Sequence, residues 1–193
     1  MNVNFLLYDD FDMMDLAAPG KIFDSAGGEF HLNYLSLNGD IINSMQGVKL
    51  WTEPLDMKEL DGILVLPGGR GARRLIHHDE QYIKILKQSV NKCDACLMIG
   101  NASGIMAQTG VLYHRNVAAY SNDENWRRMF TAAISWVDDA TWVADGKFYS
   151  CKSSLTAYDV TLGLIADIVD VDASMKIAEK LGYEWELDDQ GYY

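Results

Sequence analysis

Short apolar runs alternating with segments of helical spacing set the rhythm of this chain. Residues 3–8 are apolar over strand length with polar flanks, which predicts a buried first strand. Residues 16–26 carry Leu16, Ile22, Phe23 and Ala26 at helical spacing, with Pro19 in the first turns, where proline is tolerated. Gly27-Gly28 stops that helix. Residues 30–37 alternate as a second strand, Asn38-Gly39 marks a turn, and 43–53 reads as a short strand pair bent at Gly47. A further strand at 62–66 precedes Pro67-Gly68-Gly69-Arg70-Gly71, and a helix follows at 81–91.

Beyond residue 110 the pattern predicts a strand at 116–121 and a helix at 124–132. Residues 141–143 and 148–151 flank Asp145-Gly146, a hairpin signal. Two amphipathic helices, 157–169 and 173–181, are separated by a break at 170–172. Strands alternate with helices, so the expected class is α/β: a doubly wound, mostly parallel sheet with helices on both faces. No repeat or linker divides the chain, and residues 1–193 read as one domain, long enough to bury a core.

In such sheets ligands bind at the carboxyl ends of the strands. Residues 9–15, 67–71 and 100 all belong to that rim. The last lies in the stretch 95–110, where an apolar run of strand length meets small residues and then a helix-like segment. That is the strand–turn–helix on which many α/β enzymes mount a nucleophile. At the turn itself the chain reads Gly100, which has no side chain to offer.

Composition narrows the function classes. An apolar content of 49% and 23% charged residues suit a soluble globular protein, and a net charge of −12 opposes binding to nucleic acid. No secretory leader pattern is visible at 1–8, and no apolar run approaches the roughly 18 residues of a membrane span. Three cysteines, an odd number, fit a reducing compartment, so the expected location is the cytoplasm. Cys93 and Cys96 form a C-x-x-C, but Cys96 falls inside a strand, and both read as buried, inert thiols. No zinc site follows, since a second ligand pair is missing; no metal and no cofactor are expected. Arg70, Arg73 and Arg74 either attract an anion or pair with Asp79 or Glu80. His31 reads as a structural histidine, and Trp126, Trp136 and Trp142 as core or interface positions.

Asp15-Leu16-Ala17-Ala18-Pro19 with Phe23, then Leu66-Pro67-Gly68-Gly69, the turn at Gly100, and Gly110-Val111-Leu112 resemble the ThiJ/PfpI family of the class I glutamine amidotransferase-like superfamily. Asp145-Gly146-Lys147 and residues 153–159 and 178–185 are similar to the same family, in particular its isonitrile hydratase branch. The resemblance runs in order over nearly the whole chain. It implies a flavodoxin-like fold, commonly dimeric, with a cysteine at the turn supported by an acidic residue that maps onto Asp15. It also implies backbone N–H groups directed at the pocket from Gly68, Gly69 and Gly71. The nucleophilic cysteine falls on Gly100, the residue after it on Asn101, and the usual glycine after that on Ala102. The family's Gly-Pro is Ala18-Pro19 here.

Gly100 therefore has two readings: a lost nucleophile, or a register displaced by a few residues. Cys96 lies too early, in mid-strand. Ser103 lies on the helix side of the turn, with no histidine placed to activate it, since His114 follows the helix and His77-His78 sit in another connection. Asp15 reads as a remnant general acid, a ligand-binding carboxylate or a plain helix N-cap. The expectation is a pseudoenzyme: a non-catalytic small-molecule binding or interaction protein, forming a homodimer. Its pocket would comprise Asp15, Gly68, Gly69, Gly71, Gly100, Asn101 and Ala102. One alternative is a cofactor-free hydrolase or hydratase acting through Ser103 or an Asp15-held water. Another is a ligand-sensing regulatory domain with no DNA-binding module of its own, since the family also occurs fused to AraC-type domains.

Overall fold

The computed structural model describes residues 1–120, 125, 128–130 and 133–186. The chain opens with β1 (Asn2–Leu6), α1 (Met13–Ser25) and β2 (His31–Ser36). The hairpin β3 (Asp40–Asn43) and β4 (Lys49–Pro54) follows, then β5 (Ile63–Leu66). Helices α2 (Ala72–His78) and α3 (Glu80–Lys92) lead to β6 (Ala95–Ile99) and the short α4 (Ala102–Gln108). Next come β7 (Asn116–Ala118), β8 (Ser135–Val137), β9 (Trp142–Asp145) and β10 (Phe148–Cys151). Two helices, α5 (Ala157–Ile168) and α6 (Val171–Leu181), complete the described elements.

Eight strands form one sheet in the order β3-β4-β2-β1-β5-β6-β10-β9. Every pairing from β4 to β10 is parallel, and only the edge strands β3 and β9 run antiparallel to their neighbours. β5 and β6 are buried at every position, which explains why both read as continuous apolar runs instead of alternating ones. The helices pack as two groups around the sheet, α1 with α5 and α6, and α2 with α3 and α4. This is the doubly wound α/β architecture that the alternation predicts.

Caps set several helix starts. Asp12 accepts from the Met14 N–H at 2.9 Å, Asp79 from Tyr82 at 2.8 Å and Asp170 from Ala173 at 2.6 Å. Asp15 is thus not the cap of α1; it is the third residue of that helix. α2 goes unpredicted because Arg73-Arg74 and His77-His78 mask its apolar face of Ala72, Leu75 and Ile76, and no side chain caps it. β8 also escapes the pattern; it pairs in parallel with β7 as a small second sheet. The expected helix at 124–132, like Trp126, falls largely outside the described residues. His31 is exposed at the start of β2, so its alternation with apolar neighbours does not bury it. No described helix is long and apolar enough to cross a membrane.

All three cysteines are free and buried. Burial pushes the Cys93 thiol up to about 11 and those of Cys96 and Cys151 to about 12.

Candidate functional site

The sheet reverses its winding at β1, with β2 on one side and β5 on the other, and the carboxyl ends of β1, β5, β6 and β10 converge there. The loop after β1 is sewn to the Gly-Gly loop after β5. Asp12 N–H donates to the Gly68 carbonyl at 2.8 Å, Gly71 N–H to the Asp10 carbonyl at 3.1 Å, and the Tyr8 hydroxyl to the Pro67 carbonyl at 2.7 Å. This approach is close enough to require glycine. At Gly69, with φ +137°, a β-carbon would collide with the Asp10 carbonyl oxygen.

Gly100 occupies the turn between β6 and α4 at φ +56°, a left-handed conformation that glycine adopts without penalty. Its N–H donates to the Cys151 carbonyl at 3.1 Å, tying the turn to β10. A β-carbon in its place would stand 3.8 Å from the Tyr120 ring and 3.9 Å from Asp15 Oδ2, ordinary contact distances. The next residue, Asn101, grips Gly69 with both ends of its amide: Oδ1 accepts from the Gly69 N–H at 2.8 Å and Nδ2 donates to the Gly69 carbonyl at 3.0 Å.

Asp15 reaches the same point from α1. It is 2% exposed, and its Oδ2 accepts the Gly68 N–H at 2.8 Å while its Oδ1 is buried without a hydrogen-bond partner. Burial raises its pKa to about 6. The nearby Ser154 hydroxyl and the Gly68 N–H oppose the rise, and the Asp12 charge adds to it. The Cys151 thiol below feels the Asp15 charge as a further upward push.

These groups surround a cavity of about 560 Å³. Of the pocket residues expected from the sequence, Asp15, Gly69, Gly100 and Asn101 line it. Gly68, Gly71, Ala102 and Ser103 do not. Gly68 and Gly71 lie behind it, each with its N–H already donated. Ala102 is fully buried in the start of α4, and Ser103 is buried with its hydroxyl donated to the Gly100 carbonyl at 3.1 Å. The backbone donors that the resemblance directs at the pocket are therefore spent at Gly68, Gly69 and Gly71 on Asp15, Asn101 and the Asp10 carbonyl.

Asp12, Met45, Tyr120, Ser153 and Ser154 complete the lining together with Arg70 and Arg73. The two serines follow the end of β10, so its carboxyl rim was a readable signal; Met45 comes from the β3–β4 connection, which carries none. Arg70 and Arg74 do not pair with Asp79 or Glu80 in the manner considered from the sequence. Arg70 donates to the Met45 carbonyl at 2.7 Å, and Arg74 reaches the Asp9 carbonyl at 3.0 Å and Asp10 at 3.7 Å.

None of the curated proteins matches this chain. Among solved structures, a ThiJ/PfpI family protein from Pseudomonas syringae superposes with a TM-score of 0.82 at 18% identity, over 95% of this chain and 75% of that one. Drosophila melanogaster DJ-1beta gives 0.81 at 19% identity, over 95% and 98%. An AraC family transcriptional regulator from Pseudomonas putida gives 0.77 at 22%, over 93% and 98%. At these identities the structures speak for the fold, while the sequence profile of the DJ-1/PfpI family matches residues 1–167. By that match, running from β1 through all but the last residue of α5, the chain belongs to the DJ-1/PfpI family.

Proposed function

We propose that this chain is a binding member of its family and not a catalyst: its cavity holds a small molecule without reacting with it. The observation that carries this reading is the state of the floor. The turn residue Gly100 offers no nucleophile, and the Gly68 and Gly69 N–H groups, which would stabilise a developing oxyanion, are already held by Asp15 and Asn101. Three buried thiols held near 11 to 12 supply no thiolate at neutral pH. Ser103, turned into its own helix start, gives a hydrolase little support. The likeness to an AraC family regulator supports ligand sensing as the use of such a site.

Peroxide treatment tests the reading. At neutral pH, mass spectrometry should find the three cysteines oxidised slowly and together. Rapid conversion of a single cysteine to its sulfinic acid would place an activated thiol in the molecule and overturn the proposal.

The binding form is a two-fold dimer in this reading. Ile41, Val48 and Trp51 are exposed on the β3–β4 hairpin, at 51%, 44% and 63%, at an edge of the sheet. Large apolar side chains clustered on an edge favour association of like copies. Light scattering should give twice the 21.6 kDa chain mass, and a stable monomer at micromolar concentration would contradict it.

A further inference from the structure

The cavity floor is short of one hydrogen-bond donor. Asp15 Oδ1 is buried without a hydrogen-bond partner, with the Ser154 hydroxyl near the carboxyl. A buried carboxylate oxygen left in this state is costly, and native structures ordinarily supply it with a partner. The Gly68 and Gly69 N–H groups are spent, as is the Asn101 side-chain amide at both ends. The space beside the carboxyl is open toward the cavity, because Gly100 carries no side chain. A second carboxylate, Asp12, lines the same cavity, and the Tyr120 ring stands on the far side of the Gly100 position.

Resting on the binding reading above, we infer that the ligand carries a protonated nitrogen, as an amine, amidine or guanidine, seated against Asp15 in the space that Gly100 leaves free. Such a group donates to Asp15 Oδ2, the carboxyl oxygen beside the Gly100 position, neutralises the buried carboxylate and lies next to the Tyr120 ring. A carboxylate or phosphate ligand would face two carboxylates there, with the Gly68 and Gly69 N–H groups already spent. Arg70 and Arg73 lie on the cavity wall, Arg70 turned to the Met45 carbonyl and Arg73 with an interaction of its own. They suit the ligand's other end, away from Asp15.

Benzamidine, benzamide and benzoate are nearly isosteric, and they differ in charge and donors. Titrating each into the full chain, with backbone amide shifts of Gly69, Gly100, Asn101 and Tyr120 as the readout, separates the classes. Benzamidine should bind at least roughly tenfold more tightly than either other compound near pH 7.5. Its advantage should shrink as the pH falls through the range where Asp15 takes up a proton. The other ionisable groups near that carboxyl are Asp12, Arg70, Arg73, Arg74, Tyr8, Tyr120 and Cys151. In Asp15→Asn the preference for benzamidine should fall to within about twofold of benzamide.

Equal or tighter binding of benzamide or benzoate at the same amides would overturn the cation inference and leave the binding reading intact. Retention of the full preference in Asp15→Asn would overturn it too, placing the charge recognition elsewhere. Failure of all three compounds to shift these amides would remove both.

Discussion

Replacing Gly100 by cysteine is expected to give a thiol that iodoacetamide alkylates at least about a hundredfold faster than any native cysteine at neutral pH. The native thiols are buried and held near 11 to 12, so their thiolate fractions are minute. A side chain at position 100 enters the cavity instead, with its β-carbon 3.8 Å from the Tyr120 ring and 3.9 Å from Asp15 Oδ2. Nothing has to move to admit that β-carbon. Its cost is conformational: a β-carbon at φ +56° loses about 1–2 kcal/mol relative to glycine. The new thiol and the Asp15 carboxyl would share a proton, so the pair titrates as a unit and neither value belongs to one residue. Mass-spectrometric alkylation rates alongside a urea melt check both effects. A thiol as slow as the native ones, in a protein of unchanged stability, would mean that position 100 does not face the cavity.

Asp15→Asn should stabilise the fold, and the gain should depend on pH. The carboxyl rises from its ordinary 3.8 to about 6 in the folded chain, because burial disfavours its charge. Between those values the native state holds a proton that the unfolded chain has already released. Stability therefore falls as pH rises through this window, and the full cost is present above about pH 7. That cost is about 3 kcal/mol, and an amide of the same shape avoids it while its oxygen still accepts from Gly68. Denaturant melts should show the variant ahead by about that amount near neutrality and level with the native chain below about pH 4. A gap that stays constant with pH, or a variant that is less stable at neutrality, would show that the carboxylate is compensated in the fold. If a substrate were turned over by the native chain and not by this variant, an Asp15-held water would enter the chemistry and the binding reading would yield to a hydratase.

Where the pattern is local, the sequence was a sufficient guide. The buried runs of β5 and β6, the Asp-Gly hairpin between β9 and β10, and the glycine turn after β6 each follow from neighbouring residues. Function-bearing geometry is less local. Asp15 has the sequence of a helix N-cap, and only the three-dimensional arrangement shows Asp12 taking that role and freeing Asp15 for Gly68. Asn101 follows the turn, and nothing in its neighbours says that its amide will close on Gly69, 32 positions away. Ser103 reads as facing the pocket by its distance from the turn, yet the first turn of α4 directs its hydroxyl back to Gly100. Met45 enters the lining because the hairpin tip is pinned by Met45 N–H to the Phe11 carbonyl at 2.8 Å, a pairing between loops that no periodicity encodes.

The double grip of Asn101 on Gly69 has a thermodynamic consequence. Together with the Asp15–Gly68 bond it fixes three separate chain segments, the start of α1, the loop after β5 and the turn after β6, before any ligand arrives. Loops that order on binding subtract their lost freedom from the affinity. In the binding reading that freedom is surrendered during folding, so a ligand would meet loops already tied together. Even a small molecule with few contacts can then convert most of its interaction into occupancy.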